Sequence, residues 1–286
     1  MKKFFYFNVC LLCSLFLFFS CSSAPKNRGD IYVIRIQTEE GLESANREAG
    51  KGSFEFALTL LTNLKRNAIM VDDSSLIIRV CLSRGNVLYS LGDTNGAFAE
   101  WERALEEALK LGNSELLSVS RIFLARGNLV SGRVTPSSVL EETVRESANI
   151  KSNRLYIAFS WQVRGLALRS LGLYREAEDA IKRSLDIHTK ARQLENASYD
   201  WYTIASVRSL AGNYSGAISA LEMSVEIDRR IENSWGLAAS YRAMGDVYRK
   251  DGNERSAQEA YRRAAEIFAA MGNEREFAEI NNRIRN

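Results

Sequence analysis

The stretch from Tyr241 to Tyr261 reads YRAMGDVYRKDGNERSAQEAY. It places the small residues Gly245 and Ala257 on either side of a central glycine, Gly252, which is followed by asparagine. Apolar residues at helical spacing flank this glycine on both sides. A glycine just past a helix readily adopts the left-handed cap conformation, and asparagine can cap the helix that follows. The stretch therefore predicts a helix A and a helix B joined by a tight turn at Gly252.

The turn glycine recurs every forty residues. Its copies are Gly52, Gly92, Gly132, Gly172, Gly212 and Gly252. The positions seven before and five after each copy carry only alanine, glycine or serine, while neighbouring columns carry bulky residues such as Trp101 and Trp161. Small residues let two helix backbones approach closely, and bulky residues fill the seam between them. The period predicts six stacked helix hairpins.

In these columns the chain resembles the tetratricopeptide repeat (TPR) family. The residues that carry the resemblance best are Tyr241, Met244, Gly245, Tyr248, Ala257 and Tyr261. The third copy departs from the pattern, with Arg121, Ser137 and Glu141 in place of an aromatic, an alanine and a bulky core residue. The resemblance covers residues 38–286 and implies an all-α fold, a right-handed α-solenoid of six TPR-like helix hairpins.

The last segment of the chain is polar but keeps three apolar residues at helical spacing. These are Phe277, Ile280 and Ile284, in the sequence NEREFAEINNRIRN that begins at Asn273. Terminal repeats of a solenoid need one face toward the stack and one polar face toward water. We expect this segment to form a C-terminal capping helix.

The first residues predict export. Lys2 and Lys3 precede an apolar run over residues 4–19, which is short for a membrane span and typical of a signal peptide. Ser20 and Cys21 follow, an order that resembles the lipobox of bacterial lipoproteins, although Phe18 replaces the usual Leu, Val or Ile. The resemblance implies that residues 1–20 are a lipoprotein signal peptide and that Cys21 is acylated. Plain cleavage and an uncleaved anchor are the alternatives.

Residues 21–37 are interpreted as the lipidated cysteine, a tether and a short extended segment. The extended segment is IYVIRI, residues 31–36, which is rich in β-forming residues and lies outside the repeat register. It either covers the first helix pair or forms a strand for self-association. Beyond it, residues 38–286 form the predicted solenoid. The resulting localisation is a bacterial membrane, with the lipid-anchored chain facing the periplasm or the cell exterior.

The composition argues against several functional classes. Without residues 1–20 the chain has 36 basic and 35 acidic side chains, a balance that does not suggest a nucleic-acid binder. Its single histidine, His188, is expected to be a surface or half-buried structural residue, and Cys81 to be a buried packing thiol. Phosphate loops and hydrolase motifs are absent from the sequence. We therefore expect no enzymatic activity, no catalytic residues, no cofactor and no metal.

The TPR resemblance implies that the A helices line a concave groove that holds a peptide. Its candidate partner-binding residues are Asn86, Arg126, Gln162, Arg169, Tyr199, Tyr202, Arg242, Asp246 and Arg249. Arginine and tyrosine anchor many protein interfaces, so the expected partner is an envelope protein or peptide segment with acidic groups.

The sequence thus favours a membrane-anchored lipoprotein that acts as a protein-interaction scaffold or adaptor in the bacterial cell envelope. Possible self-association is left open. The alternative function is a ligand-binding or accessory component of an envelope transport system, in which the groove encloses a small molecule. A hydrolase with a carboxylate pair is less favoured, because Asp246 is the one acidic residue among the candidate groove residues.

Overall fold

A computed structural model describes residues 29–285, and within that range the regular structure is entirely α-helical. Its thirteen helices are α1 (Asp30–Gly50), α2 (Phe54–Met70), α3 (Ser74–Ser90), α4 (Thr94–Leu111), α5 (Ser114–Val130), α6 (Pro136–Ser147), α7 (Arg154–Ser170), α8 (Tyr174–Lys190), α9 (Leu194–Leu210), α10 (Tyr214–Arg230), α11 (Ser234–Lys250), α12 (Glu254–Ala270) and α13 (Glu274–Arg285). Consecutive helices pack against one another along the whole series. The odd-numbered helices are the A helices and the even-numbered helices are the B helices of six hairpins. The predicted α-solenoid is confirmed.

The two helices of a hairpin meet at the predicted small residues. A methyl group at Gly85 would collide with the indole of Trp101, and one at Gly245 would collide with the ring of Tyr261. The side chains of Trp101 and Tyr261 are almost completely buried at these contacts. In these hairpins the close approach of helix A to helix B therefore depends on glycine, while Ala45, Ala125 and Ala205 hold the same position in the other hairpins.

The prediction of an extended segment at residues 31–36 was wrong. These residues lie in α1, which begins at Asp30. The helix buries Thr38, Leu42 and Ala45, which recur at helical spacing and pack the first A helix onto the stack. Tertiary packing of this face outweighs the β-forming tendency of the preceding apolar run. Ile31 and Val33 nevertheless remain exposed.

The C-terminal helix α13 packs against α12, in the place that a seventh A helix would take. Ile280 is fully buried and Ile284 is half-buried against the last core cluster, as expected of a cap. Phe277 is exposed, so its predicted inward orientation was wrong.

The lipobox residues Phe18, Ser20 and Cys21 lie outside the described residues. Between residues 29 and 285, no helix is both long enough and apolar enough to cross a bilayer.

The first hairpin also contacts the far end of the solenoid. Phe54, at the start of α2, packs edge to face on Trp235 at the start of α11, with ring centroids 5.1 Å apart. Trp235 in turn packs on Phe268 of α12 at 5.3 Å. Helix α1 also approaches α9, where Gly50 lies near the side chain of Glu195. The stack therefore curves through a full turn and brings its first turn against hairpins five and six.

This closing contact predicts different costs for two alanine substitutions. Gly52 and Gly92 have nearly the same left-handed φ, +85° and +89°. A β-carbon at Gly52 would lie 2.6 Å from Cβ of Trp235, whereas one at Gly92 meets open space. We expect Gly92→Ala to cost about 1 kcal/mol of unfolding free energy from backbone strain alone, and Gly52→Ala to cost clearly more.

Chemical denaturation measures both costs, and hydrogen exchange followed by mass spectrometry reports on the contact itself. Gly52→Ala should raise exchange around residues 233–236 as well as around residue 52. Equal stability losses for the two variants, with unchanged hydrogen exchange at residues 233–236, would contradict the contact between the first hairpin and α11.

Candidate functional site

The A helices form the inner side of the curve. Neighbouring A helices touch each other, α1 with α3, α3 with α5, α5 with α7 and α9 with α11, in addition to their contacts with B helices. Every candidate groove residue from the sequence lies on one of the A helices α3, α5, α7, α9 and α11. The polar side chains on this face can therefore reach from one hairpin to the next.

Arg126 and Arg169 each bond to a neutral side chain on a neighbouring A helix. Arg126 Nη1 donates to Asn86 Oδ1 at 3.4 Å, and Arg169 Nη1 donates to Ser206 Oγ at 3.1 Å. Both acceptors are neutral, so neither bond cancels the charge of the guanidinium group. No ion pair to Arg126 or Arg169 occurs among residues 29–285.

Gln162 is buried inside the stack rather than open to a groove. Its Nε2 donates to Asp200 Oδ1 at 2.9 Å, and the other carboxylate oxygen of Asp200 lies 2.7 Å from His188 Nδ1. Ser184 Oγ donates to the same oxygen at 3.0 Å. His188 is only 4% exposed, so the expected structural role fits, but its expected position at or near the surface was wrong.

Helix α13 binds the three candidate residues on α11. Arg242 pairs with Glu276, Asp246 accepts from Arg283 at 2.6 Å, and Arg249 donates to the backbone carbonyl of Arg283 at 2.7 Å. Asp246 also accepts a bond of 2.7 Å from Tyr261. The arginine-rich end of the predicted groove is thus largely occupied by the chain's own last helix.

The open part of the face is a cleft between α7, α9 and α11. It has a volume of about 530 Å³ and brings together Arg169, Tyr202 and Asp246 of the candidate residues. Tyr199 stacks on Tyr202 at the adjoining surface, with ring centroids 6.3 Å apart and an interplanar angle of 20°. Tyr199 is 40% exposed. This paired tyrosine surface with Arg169 is the candidate functional site.

The chemistry of this cleft is that of recognition. Burial raises the pKa of Tyr202 above its usual value, although the nearby Arg242 opposes the shift. The phenol therefore stays protonated at neutral pH and can donate a hydrogen bond. Ser206 and Lys250 also line the cleft and were not among the candidate residues. Their positions near the ends of A helices, on the face that carries Arg169, were the signal that could have identified them.

Cys81 is a packing residue, as the sequence predicts. It is free and fully buried. Burial first, and the nearby Glu100 carboxylate second, raise the pKa of its thiol to about 12. A thiol with such a pKa is not a nucleophile at neutral pH.

Residues 196–270 match the family model of the tetratricopeptide repeat. These residues form tetratricopeptide repeats, and the described chain has the TPR fold throughout. No protein of curated function matches the sequence significantly.

Three solved structures illustrate the likeness. BtubC (BKLC) from P. vanneervenii aligns over 82% of this chain and 92% of its own, with a TM-score of 0.54 and 16% identity. A Rap protein complexed with competence and sporulation factor aligns over 87% and 74%, with a TM-score of 0.59 and 14% identity. PilW, a widely conserved type IV pilus biogenesis factor, aligns over 85% and 97%, with a TM-score of 0.50 and 15% identity. At these identities the TPR fold is what is shared.

The buried network around Asp200 yields a stability prediction. The equivalent position in other TPR hairpins carries serine, at Ser120, Ser160 and Ser240, so Asp200→Ser introduces a residue that the fold accommodates. It leaves His188 and Gln162 buried without their acceptor. We expect a loss of about 2–4 kcal/mol of unfolding free energy.

The matched control is His188→Ala, because the equivalent position in two earlier hairpins carries alanine, at Ala68 and Ala108. The Asp200→Ser/His188→Ala double variant should lose less than the sum of the single losses, because both partners are then removed together. Urea denaturation measures all three. Additive losses, or a loss for Asp200→Ser below about 0.5 kcal/mol as at an ordinary surface site, would show that the network is not coupled.

Proposed function

We propose that this chain is a membrane-anchored bacterial lipoprotein that acts as a protein-interaction scaffold in the cell envelope. The groove formed by its A helices holds a segment of a partner protein. The observation that carries this proposal is the cleft in which the stacked pair Tyr199 and Tyr202 adjoins Arg169. Aromatic rings and guanidinium groups are the side chains that most often dominate interface energies.

The cleft favours a partner segment with a carboxylate beside an apolar side chain. Arg169 is bonded only to the neutral hydroxyl of Ser206 in the described chain, so its positive charge is available to an acidic group. The rings of Tyr199 and Tyr202 offer a rigid surface that loses little side-chain entropy on binding. Asp246 lies on the α11 side of the cleft, where it is paired with Arg283, and Lys250 of the same helix adds a positive charge to the lining.

The likeness to known proteins supports a protein or peptide partner in general terms. The fold is that of repeat proteins that serve as interaction scaffolds. One similar structure is a Rap protein complexed with competence and sporulation factor, and another is the pilus biogenesis factor PilW. The complex of the Rap protein supports a bound partner for this chain, and the pilus biogenesis factor supports a role in an assembly.

Membrane anchoring rests on the sequence before residue 29. Acylation of Cys21 would leave a short tether to α1, which begins at Asp30 and keeps Ile31 and Val33 exposed near that end. A single-chain lipid anchor binds membranes only marginally, whereas several acyl chains on one cysteine bind stably.

Anchoring is tested with Cys21→Ala. The variant should lose the lipid mass from its N-terminus and move from the membrane fraction to the soluble fraction, whereas Cys81→Ala should keep both lipid and membrane association. Mass spectrometry of the extracted protein and membrane fractionation measure the two effects. Membrane association of the natural protein without a lipid mass on Cys21 would indicate an uncleaved anchor instead.

The groove is tested with the double variant Arg169→Ala/Tyr202→Ala. After mild crosslinking, extraction and mass spectrometry, a partner that co-purifies with the natural protein should be reduced by about tenfold or more, since a hydrogen bond to a charged group and an aromatic anchor are both lost. Arg175→Ala is the control, because Arg175 is exposed on the B helix α8. Equal recovery of the partner by all three proteins would exclude this cleft as its site.

The cleft also suits the second candidate function, a ligand-binding component of an envelope transport system. Its volume of about 530 Å³ lies within the range of small-molecule sites. Native mass spectrometry of the extracted protein separates the two functions. A stoichiometric small molecule, absent from Arg169→Ala/Tyr202→Ala, with no co-purified protein, would favour the transport component.

A further inference from the structure

A second cleft lies on the other side of the stack, between the B helices α6 and α8, with the A helix α7 as its floor. Its volume is about 370 Å³. Leu140, Val144 and Leu168 give it an apolar wall, and Val144 is 45% exposed. Trp161 of α7 also lines it, beside Arg164 and Arg183.

The two arginines share one aromatic ring. The guanidinium carbon of Arg164 lies 4.1 Å from the Trp161 ring centroid, and that of Arg183 lies 4.4 Å from it. Arg164 Nε is buried without a hydrogen-bond partner. Burial, with the adjacent charge of Arg183, lowers the pKa of Arg164. Within residues 29–285 neither guanidinium group forms an ion pair, so two like charges meet here without a carboxylate between them.

The second hairpin shows what is missing from this cleft. Arg84 occupies the position of Arg164 two repeats earlier, and it pairs with Glu100 at 2.6 Å. Lys65 pairs with the same carboxylate at 2.8 Å. In the fourth hairpin the position of Glu100 is held by Ala180, which lines the cleft. The chain therefore keeps the arginine and omits its internal carboxylate.

The third copy explains why the space stays open. Helix α6 has 12 residues, whereas α8 has 17. It begins at Pro136 after the capping residue Thr135, and it ends at Ser147. In this copy Glu141 stands at the position that is bulky in other copies, and Ser137 stands at the position of the small core alanine; both are exposed. A short helix with small and polar side chains cannot fill the space beside Trp161.

We propose that the cleft beside Trp161 is a second docking site, which takes one acidic side chain flanked by aliphatic residues from a segment of a partner protein. The carboxylate occupies the position that Glu100 holds in the second hairpin, between Arg164 and Arg183. The aliphatic neighbours pack on Leu140 and Leu168.

Two acidic residues at the cleft sharpen this selectivity. Glu176 and Asp179 line it on the α8 side, and neither pairs with Arg164 or Arg183. They repel a run of acidic residues while leaving the two guanidinium groups open to one carboxylate. The site is thus matched to a Leu-Glu-Leu type of sequence rather than to a polyacidic tail.

The first test uses the blocked peptide acetyl-Leu-Glu-Leu-amide and its Leu-Gln-Leu counterpart. The full-length protein, extracted in mild detergent, carries 5-fluorotryptophan, and its four tryptophans are assigned by single Trp→Phe substitutions. The glutamate peptide should shift the Trp161 fluorine signal in a saturable way. The glutamine peptide should bind about tenfold more weakly or worse, since it lacks the charge-assisted bonds.

Variants copied from the chain's own repeats keep the fold while changing the site. Arg164→Leu introduces the residue found at Leu124, and Arg183→Met the residue found at Met223. Each should weaken the glutamate peptide about tenfold, whereas Arg175→Met removes a charge from the exposed side of α8 and should leave binding unchanged. No saturable shift at Trp161, or equal shifts with both peptides, would overturn the proposal.

A second test places a carboxylate in the cleft by substitution of one of its lining residues. Ala180→Glu should abolish the peptide effect and should leave the melting temperature unchanged or higher, because Arg164 and Arg183 receive the new charge. Ala220→Glu is the matched control, because Ala220 is the equivalent of Ala180 in the next hairpin and is also buried. There Ile204 replaces Arg164, so the new carboxylate is buried without a partner and the substitution should lower the melting temperature. Equal destabilisation by both substitutions would also overturn the proposal.

This site is independent of the A-helix groove. Arg169→Ala/Tyr202→Ala should leave the peptide-induced shift of the Trp161 signal intact. The experiments can therefore disprove partner binding in the A-helix groove and peptide binding in this cleft separately.

Discussion

The structure depends on the close approach of two helix backbones in each hairpin. Where Gly85, Gly165 and Gly245 stand on helix A, helix B brings Trp101, Ile181 and Tyr261 into the space that a β-carbon would occupy. The bulky side chain fills the seam from one side only, so the helix axes settle at a fixed distance and angle. The intervening hairpins carry Ala45, Ala125 and Ala205 at the same position, so a small residue recurs there every forty residues. This repetition builds a continuous core out of units that could not bury their apolar faces alone.

The same spacing positions the functional surfaces. A fixed hairpin geometry places neighbouring A helices in contact on the inner side, so polar residues about forty positions apart can bond, as Arg126 does with Asn86. The curve then brings Phe54 onto Trp235 after a full turn. The two clefts lie where the repeat is locally interrupted. One is the uncovered surface around Arg169 and Tyr202, and the other is the space beside Trp161 that the short helix α6 does not fill.

The sequence predicted the periodic features well, because each is supported by several copies at once. The turn glycines, the small columns, the buried Cys81 and the inward Ile280 all follow from register. It predicted the non-periodic features poorly. Nothing in the repeat shows that Gln162 would be drawn inward by Asp200, because that bond joins residues 38 positions apart in only one pair of hairpins.

The same limit applies to both ends of the chain. IYVIRI has β-forming composition, and only the packing of Leu42 and Ala45 against the next helix makes the segment part of α1. The arginines on α11 were identified as groove residues without knowledge that α13 brings Glu276 and Arg283 onto them. The positions of side chains that do not follow the repeat are set by tertiary contacts, which a single sequence does not reveal.

The central functional claim is that the inner face near Tyr199 holds a partner protein. Site-specific photocrosslinking in living cells tests it most directly, with the photoreactive benzoylphenylalanine placed at Tyr199 and, as the comparison, at Met223, which is equally exposed on the B helix α10. If the inner face binds the partner, position 199 should give a discrete protein adduct and position 223 should give none. An adduct from position 223 alone, or no protein adduct from position 199, would contradict it.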